Sequence, residues 1–258
     1  MWLLETLVLA AWWLWAGACG LLIASTFVRK FPRSPLARSA GISSGQRVTF
    51  RSTDGLSLVG LQLIADLSQP WLLLCHDLQS NRDQLLPLAG KLHKAGYNIL
   101  LFDARAHGES DGLCTAYGWR EQRDLEGALA FLGRQEGFSD HSYGIYGVGL
   151  GAVMARLVAQ RDDRLGAIAV TDLPEDFTAY LTDRLSQRIG VSLRLVRGLV
   201  DLAFRTRFGV SSTTISRQLQ GTTNQMRILP LAFAAISATD PNQISAQLLT
   251  FFDRQLKP

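Results

Sequence analysis

Tyr143–Gly151 reads YGIYGVGLG, an apolar run at Tyr143–Tyr146 that enters a turn in which every second residue is glycine. So short and apolar a run is expected of a strand buried on both faces. The glycines mark a turn whose backbone passes close to its neighbours or takes dihedrals that a side chain resists. Downstream, the spacing predicts a helix from about Ala152 to Gln160 and another apolar strand at Leu165–Val170. Upstream the same alternation recurs. WLLLC at Trp71–Cys75 and Asn98–Phe102 are continuous apolar runs, separated by Asn81–Lys94 with Leu85, Leu88, Ala89 and Leu92 at helical spacing and Gly96 as a stop. Trp119–Leu132 is the next expected helix. Arg47–Ser52 and Leu56–Ile64 alternate and are joined by Thr53-Asp54-Gly55, a hairpin signal. Buried strands alternating with helices imply an α/β protein with a mainly parallel sheet and right-handed crossovers.

Between Pro174 and Gly221 the alternation stops, and residues 174–221 read as a helical insertion. Within it Ser192–Arg205 is expected to form one amphipathic helix. Leu195, Val196, Leu199, Val200 and Ala203 would lie on the buried face, and Arg194, Arg197, Asp201 and Arg205 on the other. Ile228–Ile236 is the candidate for a last strand and Pro241–Leu256 for a closing helix.

Three stretches together resemble the α/β-hydrolase superfamily, close to its serine-aminopeptidase-like and membrane-anchored branches. They are Trp71–Asp83 (WLLLCHDLQSNRD), Leu100–Gly112 (LLFDARAHGESDG) and Tyr143–Gly151, and the match covers about residues 46–172. The resemblance implies an α/β-hydrolase fold with an N-terminal hairpin and a helical cap at 174–221. It also implies a nucleophile elbow, Gly-x-Ser-x-Gly, whose strained strand-to-helix turn exposes a serine. Here the flanking glycines stand as Gly147 and Gly151, but the central residue is Gly149, which has no atom to attack a carbonyl. The family order places a histidine after the serine and acid. The four histidines are His76, His93, His107 and His141, all before Gly149. His93 and His141 read as surface residues, His107 as a structural member of the His-Gly turn, and His76 as a buried, hydrogen-bonded histidine.

Asp172 and Asp240 are the candidate acids; both are also open to reading as helix N-caps, which capping frequencies favour. Asp240 lies in Ser237–Pro241, which resembles the family's acid loop, or else forms the chain's last turn with the acid strand deleted. The resemblance implies that the N–H groups of Leu78 and Leu150 face the oxyanion. Where the family has His-Gly, this chain has His76-Asp77, and a carboxylate there would oppose a developing oxyanion. His76, Asp77, Leu78, Gly149 and Leu150 are the expected ligand pocket. Cys75 falls inside a predicted buried strand, where a thiolate is disfavoured, and Cys114 in a loop without an evident histidine partner. The scattered histidines give no metal-ligand spacing, and no cofactor is implied.

Thr6–Val28 carries no charge and is long enough to span the roughly 30 Å of bilayer hydrocarbon. Arg29, Lys30, Arg33 and Arg38 follow it, whereas Glu5 precedes it. Residues 1–30 therefore read as a single-pass transmembrane anchor. Its partner is membrane lipid, and the positive-inside rule places the following domain in the cytoplasm. A cleavable signal peptide would want a basic leader and a shorter core. Residues 31–45 read as a linker, and 46–258 as the α/β-hydrolase-like domain. In a chain of 258 residues with 47% hydrophobic and 19% charged residues, disorder is excluded, and a net charge of +4 is too mild to indicate nucleic acid.

Taken together, these readings lead to the expectation of a catalytically inactive, membrane-anchored member that serves as a scaffold or binds a small acyl or ester ligand. The alternative is a weak or unconventional ester or lipid hydrolase that uses Asp77, Asp172 or Asp240 to activate water. A third reading is an interaction module that dimerises through its anchor, although nothing in the sequence names a protein partner.

Overall fold

A computed structural model describes residues 5–6, 45–135, 143–162, 165–221, 227–231 and 241–257. Most of the candidate anchor, most of the linker, His141 and Asp240 lie outside the described residues. Among those described, no helix is long and apolar enough to cross a membrane. They divide into two compact units, one holding the sheet and the other Glu175–Gln220.

The sheet has the order β1-β2-β4-β3-β5-β6-β7. β1 (Gln46–Arg51) and β2 (Ser57–Leu63) form the hairpin, closing at Arg51 opposite Ser57 around Gly55, and β2 pairs antiparallel with β4 (Asn98–Phe102). β3 (Trp71–Cys75), β5 (Tyr143–Val148), β6 (Ala167–Thr171) and β7 (Arg227–Leu231) pair in parallel. Every residue of β3, β4 and β6 is buried, which is why these strands are continuous apolar runs rather than alternating ones.

Helices cover both faces. α1 (Leu86–Lys94) and α7 (Pro241–Leu256) bury Leu86, Ala89, Leu92, Leu248, Phe252 and Leu256 against Leu72, Leu74, Ile99, Leu101 and Tyr146. A Cβ on Gly144 would lie 2.6 Å from the Phe252 ring, so that glycine sets how closely α7 approaches β5. The pleat turns Gly147 to the opposite face, where α2 (Gln122–Leu132) and α3 (Leu150–Ala159) pack. There Phe50 stacks on Phe131 with ring centroids 5.3 Å apart.

Element boundaries move for local reasons. The segment expected as one helix from Asn81 begins as a 3-10 turn, Arg82–Leu85, capped by the Asn81 side chain accepting the Asp83 N–H at 3.0 Å. α2 starts at Gln122, later than the expected Trp119. The preceding loop is held instead by buried Glu121, which accepts the N–H groups of Ala116 (2.8 Å) and Gly118 (2.9 Å). β7 ends at Leu231, and residues 232–236 of the expected last strand lie outside the described residues.

The second unit comprises α4 (Phe177–Ile189), α5 (Arg197–Phe208) and α6 (Ser212–Gln220) around Phe177, Leu181, Leu185, Val200, Phe204 and Ile215. α4 and α5 end at Gly190 and Gly209, both at positive φ. The single amphipathic helix expected over Ser192–Arg205 is not formed. A 3-10 turn, Arg194–Val196, precedes α5, and Val196 breaks the helical path at φ −115°, ψ 25°. In consequence Leu195 is not on a buried face but fully exposed, at 101% of its reference area, and Val196 is only partly buried. The residues α5 buries are Val200, Ala203, Phe204 and Phe208.

Candidate functional site

The parallel strands deliver their carboxyl ends to one edge of the sheet, the side on which open α/β sheets bind ligands. Cys75-His76-Asp77 leaves β3, Asp103–Ser110 leaves β4, Gly149 follows β5 and Asp172 follows β6.

At the end of β5 the chain makes a sharp turn into α3, with Gly149 at φ 51°, ψ −104°. Its N–H donates to the Thr171 carbonyl (2.9 Å), and Gly151 N–H donates to the His76 carbonyl (3.1 Å). A Cβ on Gly147 would lie 2.3 Å from the Gly151 carbonyl oxygen, and one on Gly151 would lie 2.2 Å from the Cys75 carbonyl oxygen. Both contacts are to backbone, which cannot move aside as a side chain can. The two flanking glycines are therefore required by packing.

Asp77 fills the space in front of Gly149. Its Oδ1 accepts the N–H of Leu150 at 3.0 Å and stands 1.9 Å from the place a Cβ at position 149 would take. The backbone donor expected to face an oxyanion is thus occupied by the chain's own carboxylate, in the volume where a nucleophile's side chain would begin. Leu78, the other expected donor residue, is buried.

His76 is buried with both ring nitrogens engaged by backbone. Nδ1 donates to the Asp77 carbonyl (2.7 Å), and Nε2 accepts the Ala104 N–H (3.0 Å). The ring is therefore the neutral Nδ1–H tautomer, and burial pushes its pKa below the ordinary value. Protonating Nε2 would cost the Ala104 bond. Because the folded-state pKa is depressed, the unfolded chain binds the proton more readily below pH 6.5. The stability contributed by His76 is then full above that pH and is lost as pH falls. The difference in unfolding free energy between the wild type and His76→Gln is expected to shrink on acidification from pH 7.5 to 5. Its slope should approach about 1.4 kcal/mol per pH unit. Chemical denaturation across that range measures it, and a pH-independent difference would refute this account of the ring.

His107 is also buried. Its Nδ1 donates to the Arg105 carbonyl (2.8 Å), and its ring packs edge-on to His76 with centroids 5.0 Å apart. His93, expected at the surface, is half-buried, with Nδ1 3.2 Å from the Tyr97 carbonyl oxygen. Cys75 is buried in β3, and burial raises its thiol pKa, so it is poorly suited to act as a nucleophile. Among the described residues no three histidine, cysteine, aspartate or glutamate side chains converge as metal ligands would.

Asp172 follows β6 at φ 57°, half-buried, next to the Thr171–Tyr146 hydroxyl pair (3.2 Å). It does not cap a helix, which corrects the capping reading. The N-cap of α4 is Asp176, which accepts the N–H groups of Thr178 (2.8 Å) and Ala179 (3.1 Å).

Sequence reasoning missed the ionic scaffold behind the β4 turn. Buried Asp103 accepts the N–H groups of Arg82 and Glu109, each at 2.9 Å, and pairs with the Arg82 guanidinium, which also reaches Glu109 at 2.6 Å. Gly108 (φ 48°) is glycine because a Cβ would run into the Asp103 carboxylate. Arg105 bridges Asp124 and Asp54, each at 2.7 Å through Nη2. Burial pushes the Asp124 carboxyl up, to about 7, against the pull of Arg105, while the Arg105 guanidinium holds Asp54 well below the usual carboxylate range. The available signal was an acid, Asp124, on the same buried face of α2 as Leu125 and Ala128.

Comparison with known proteins extends this picture. The family model of the X-Pro dipeptidyl-peptidases (S15 family) matches residues 48–199, more than half of the chain. A thiohydrolase of Aspergillus aculeatus is 31% identical over 124 residues, which is 47% of this chain and 39% of that protein. The chain spans less than half the length of the first curated relatives it matches. Among solved structures, an esterase of Pyrococcus furiosus superposes with a TM-score of 0.64 at 16% identity, over 89% of this chain and 98% of that one. An α/β hydrolase of a Penicillium species gives 0.60 at 17%, over 82% and 99%. At such identities the superpositions establish the fold.

Proposed function

The chain belongs to the X-Pro dipeptidyl-peptidase (S15) family, within the α/β-hydrolase superfamily, and from that premise we propose that it is a member without serine-hydrolase activity. The carrying observation is Asp77. Its carboxylate holds the Leu150 N–H at 3.0 Å and stands in the space next to Gly149 from which a nucleophile would attack. Acyl transfer needs an attacking atom there and donors free to meet the oxyanion; this site offers a glycine and a donor already bound to an anion. We read the protein as a scaffold, or as a binding protein for a small acyl or ester ligand at the loop ends His76-Asp77-Leu78 and Gly149-Leu150. We place it on the cytoplasmic face of a membrane through residues 1–30, with lipid as the anchor's partner. The reading is supported by the uncharged Thr6–Val28 run and the basic residues after it.

A second reading is favoured by the same carboxylate: an unconventional ester or thioester hydrolase in which Asp77 acts directly. The test is hydrolysis of short- and medium-chain esters and thioesters by the full chain in nanodiscs, alongside Asp77→Asn. The amide keeps an oxygen for the Leu150 N–H but lacks the charge. Equal background rates in both are expected from an inactive member. Turnover by the wild type that Asp77→Asn abolishes would replace the first reading with the second.

A further inference from the structure

The Glu175–Gln220 unit presents an outward face that its own packing does not use. Seven large hydrophobic side chains are exposed among the described residues, and four of them fall between positions 189 and 202. Ile189 is 38% exposed, Val191 61%, Leu195 101% and Leu202 55%. The break at Val196 separates Ile189, Val191 and Leu195 from the inward residues Val200, Ala203 and Phe204, and Leu202 shares α5 with those three but is exposed. Around α5, Leu202 stands on the side away from Val200 and Phe204, while Leu195 projects from the 3-10 turn that precedes the helix. Gly198 lies between them, where an added Cβ would meet nothing within 4 Å. The segment thus buries one set of apolar side chains in the unit's core and leaves a second set in solvent.

Charge decides what that second face fits. Residues 175–220 hold seven arginines (Arg184, Arg188, Arg194, Arg197, Arg205, Arg207, Arg217) and four acids (Glu175, Asp176, Asp183, Asp201). Two of those acids hold helix starts, and two of the arginines are paired within the unit, Arg197 with Asp176 at 2.8 Å and Arg194 with Asp183 at 3.4 Å. Asp176 caps α4, and Asp201 accepts the Ser212 N–H at 2.6 Å and the Ser211 hydroxyl at 3.2 Å. The long basic side chains interleave with the exposed apolar ones, as Arg194 (side chain 76% exposed) does beside Leu195. Protruding aliphatics set among arginines match the apolar boundary and anionic headgroups of a bilayer surface, into which arginine extends its charge while its methylenes stay in apolar contact.

We propose that residues 189–205 dock onto the surface of an anionic membrane, with Val191, Leu195 and Leu202 entering the headgroup boundary and Arg194 and Arg205 meeting lipid phosphate and carboxylate. This docking does not depend on the missing nucleophile or on residues 1–30 spanning the bilayer. It makes the second unit a peripheral contact in its own right.

The test is hydrogen–deuterium exchange of the full chain in nanodiscs of phosphatidylcholine alone or with phosphatidylserine added. Exchange in peptides covering 189–202 should slow several-fold only with the anionic lipid, and molar salt should reverse much of that protection because it screens exposed charges. Leu195→Glu/Leu202→Glu replaces only exposed side chains. It should leave exchange elsewhere in 175–220 unchanged and abolish the lipid effect, and Arg194→Glu/Arg205→Glu should do the same. Identical exchange in neutral and anionic discs would overturn the proposal. Protection that follows protein concentration rather than lipid charge would also overturn it, and would point to a protein interface.

Discussion

Arg105→Ala is expected to lower the stability of the protein by about 3–5 kcal/mol, the usual consequence of leaving one half of a buried ion pair behind. The Arg105 side chain is 5% exposed and Asp124 is fully buried. In the native protein the guanidinium bonds Asp124 from both Nε and Nη2 and reaches Asp54, on the β1–β2 turn, through Nη1 at 2.8 Å and Nη2 at 2.7 Å. One side chain therefore joins the hairpin, the β4 turn and α2, three elements that sheet pairing alone does not fix to one another. The loss should also depend on pH. Burial pushes the Asp124 carboxyl up, to about 7, and without the guanidinium only the backbone N–H of residue 105, which donates to Asp124 at 2.7 Å, still draws it down. An acid whose folded-state pKa lies above its unfolded one costs stability as pH rises through that window. The defect should accordingly be larger at pH 8 than at pH 5. Arg105→Met/Asp124→Leu, which removes both charges, should recover much of the loss. Thermal and denaturant unfolding of the three proteins decide the matter. A single variant as stable as the wild type would mean the bridge contributes nothing.

The fold was legible because its strands are buried on both faces. WLLLC and NILLF have no polar side to confuse with a helix, and Gly96, Gly147 and Gly151 stand where the chain turns or packs most tightly. The two-faced segment in the second unit was not legible. Counting by 3.6 residues from Leu195 assumes an unbroken helix, and the chain breaks at Val196, which reverses the expected placement of Leu195. At the site, the lack of a side chain between the two flanking glycines could be read directly from Gly149. The position of Asp77 in the oxyanion loop was also visible, but its occupation of the space before Gly149 was not. That contact joins residues 73 positions apart and depends on the close approach of β3 and β5 through Gly151. Arg105 and Asp124 illustrate the same limit. Local periodicity shows that Asp124 is out of place among apolar neighbours, but it cannot say which cation compensates it.

Restoring a serine at position 149 should therefore not restore an enzyme. In Gly149→Ser the new Cβ would be placed 1.9 Å from Asp77 Oδ1 and 2.5 Å from its Cγ, so the carboxylate must swing out and release the Leu150 N–H. Leaving that buried donor without its partner costs about 1–3 kcal/mol. Holding a residue with a side chain at φ 51°, ψ −104° adds a strain of about 1–3 kcal/mol. Gly149→Ser is thus expected to be destabilised by several kcal/mol and to hydrolyse esters no faster than the wild type. Asp77→Gly/Gly149→Ser should recover the part due to the collision, because the serine then has room and the Leu150 N–H is open again; the backbone strain should persist in both variants. Comparing the unfolding free energies of wild type, both single variants and the double variant isolates the coupling between positions 77 and 149. Strong coupling means that the carboxylate and the glycine are one adaptation, each permitting the other. Additive effects would mean that Asp77 moves aside freely, and a single Gly149→Ser variant with substantial turnover would show that the elbow needed only its nucleophile.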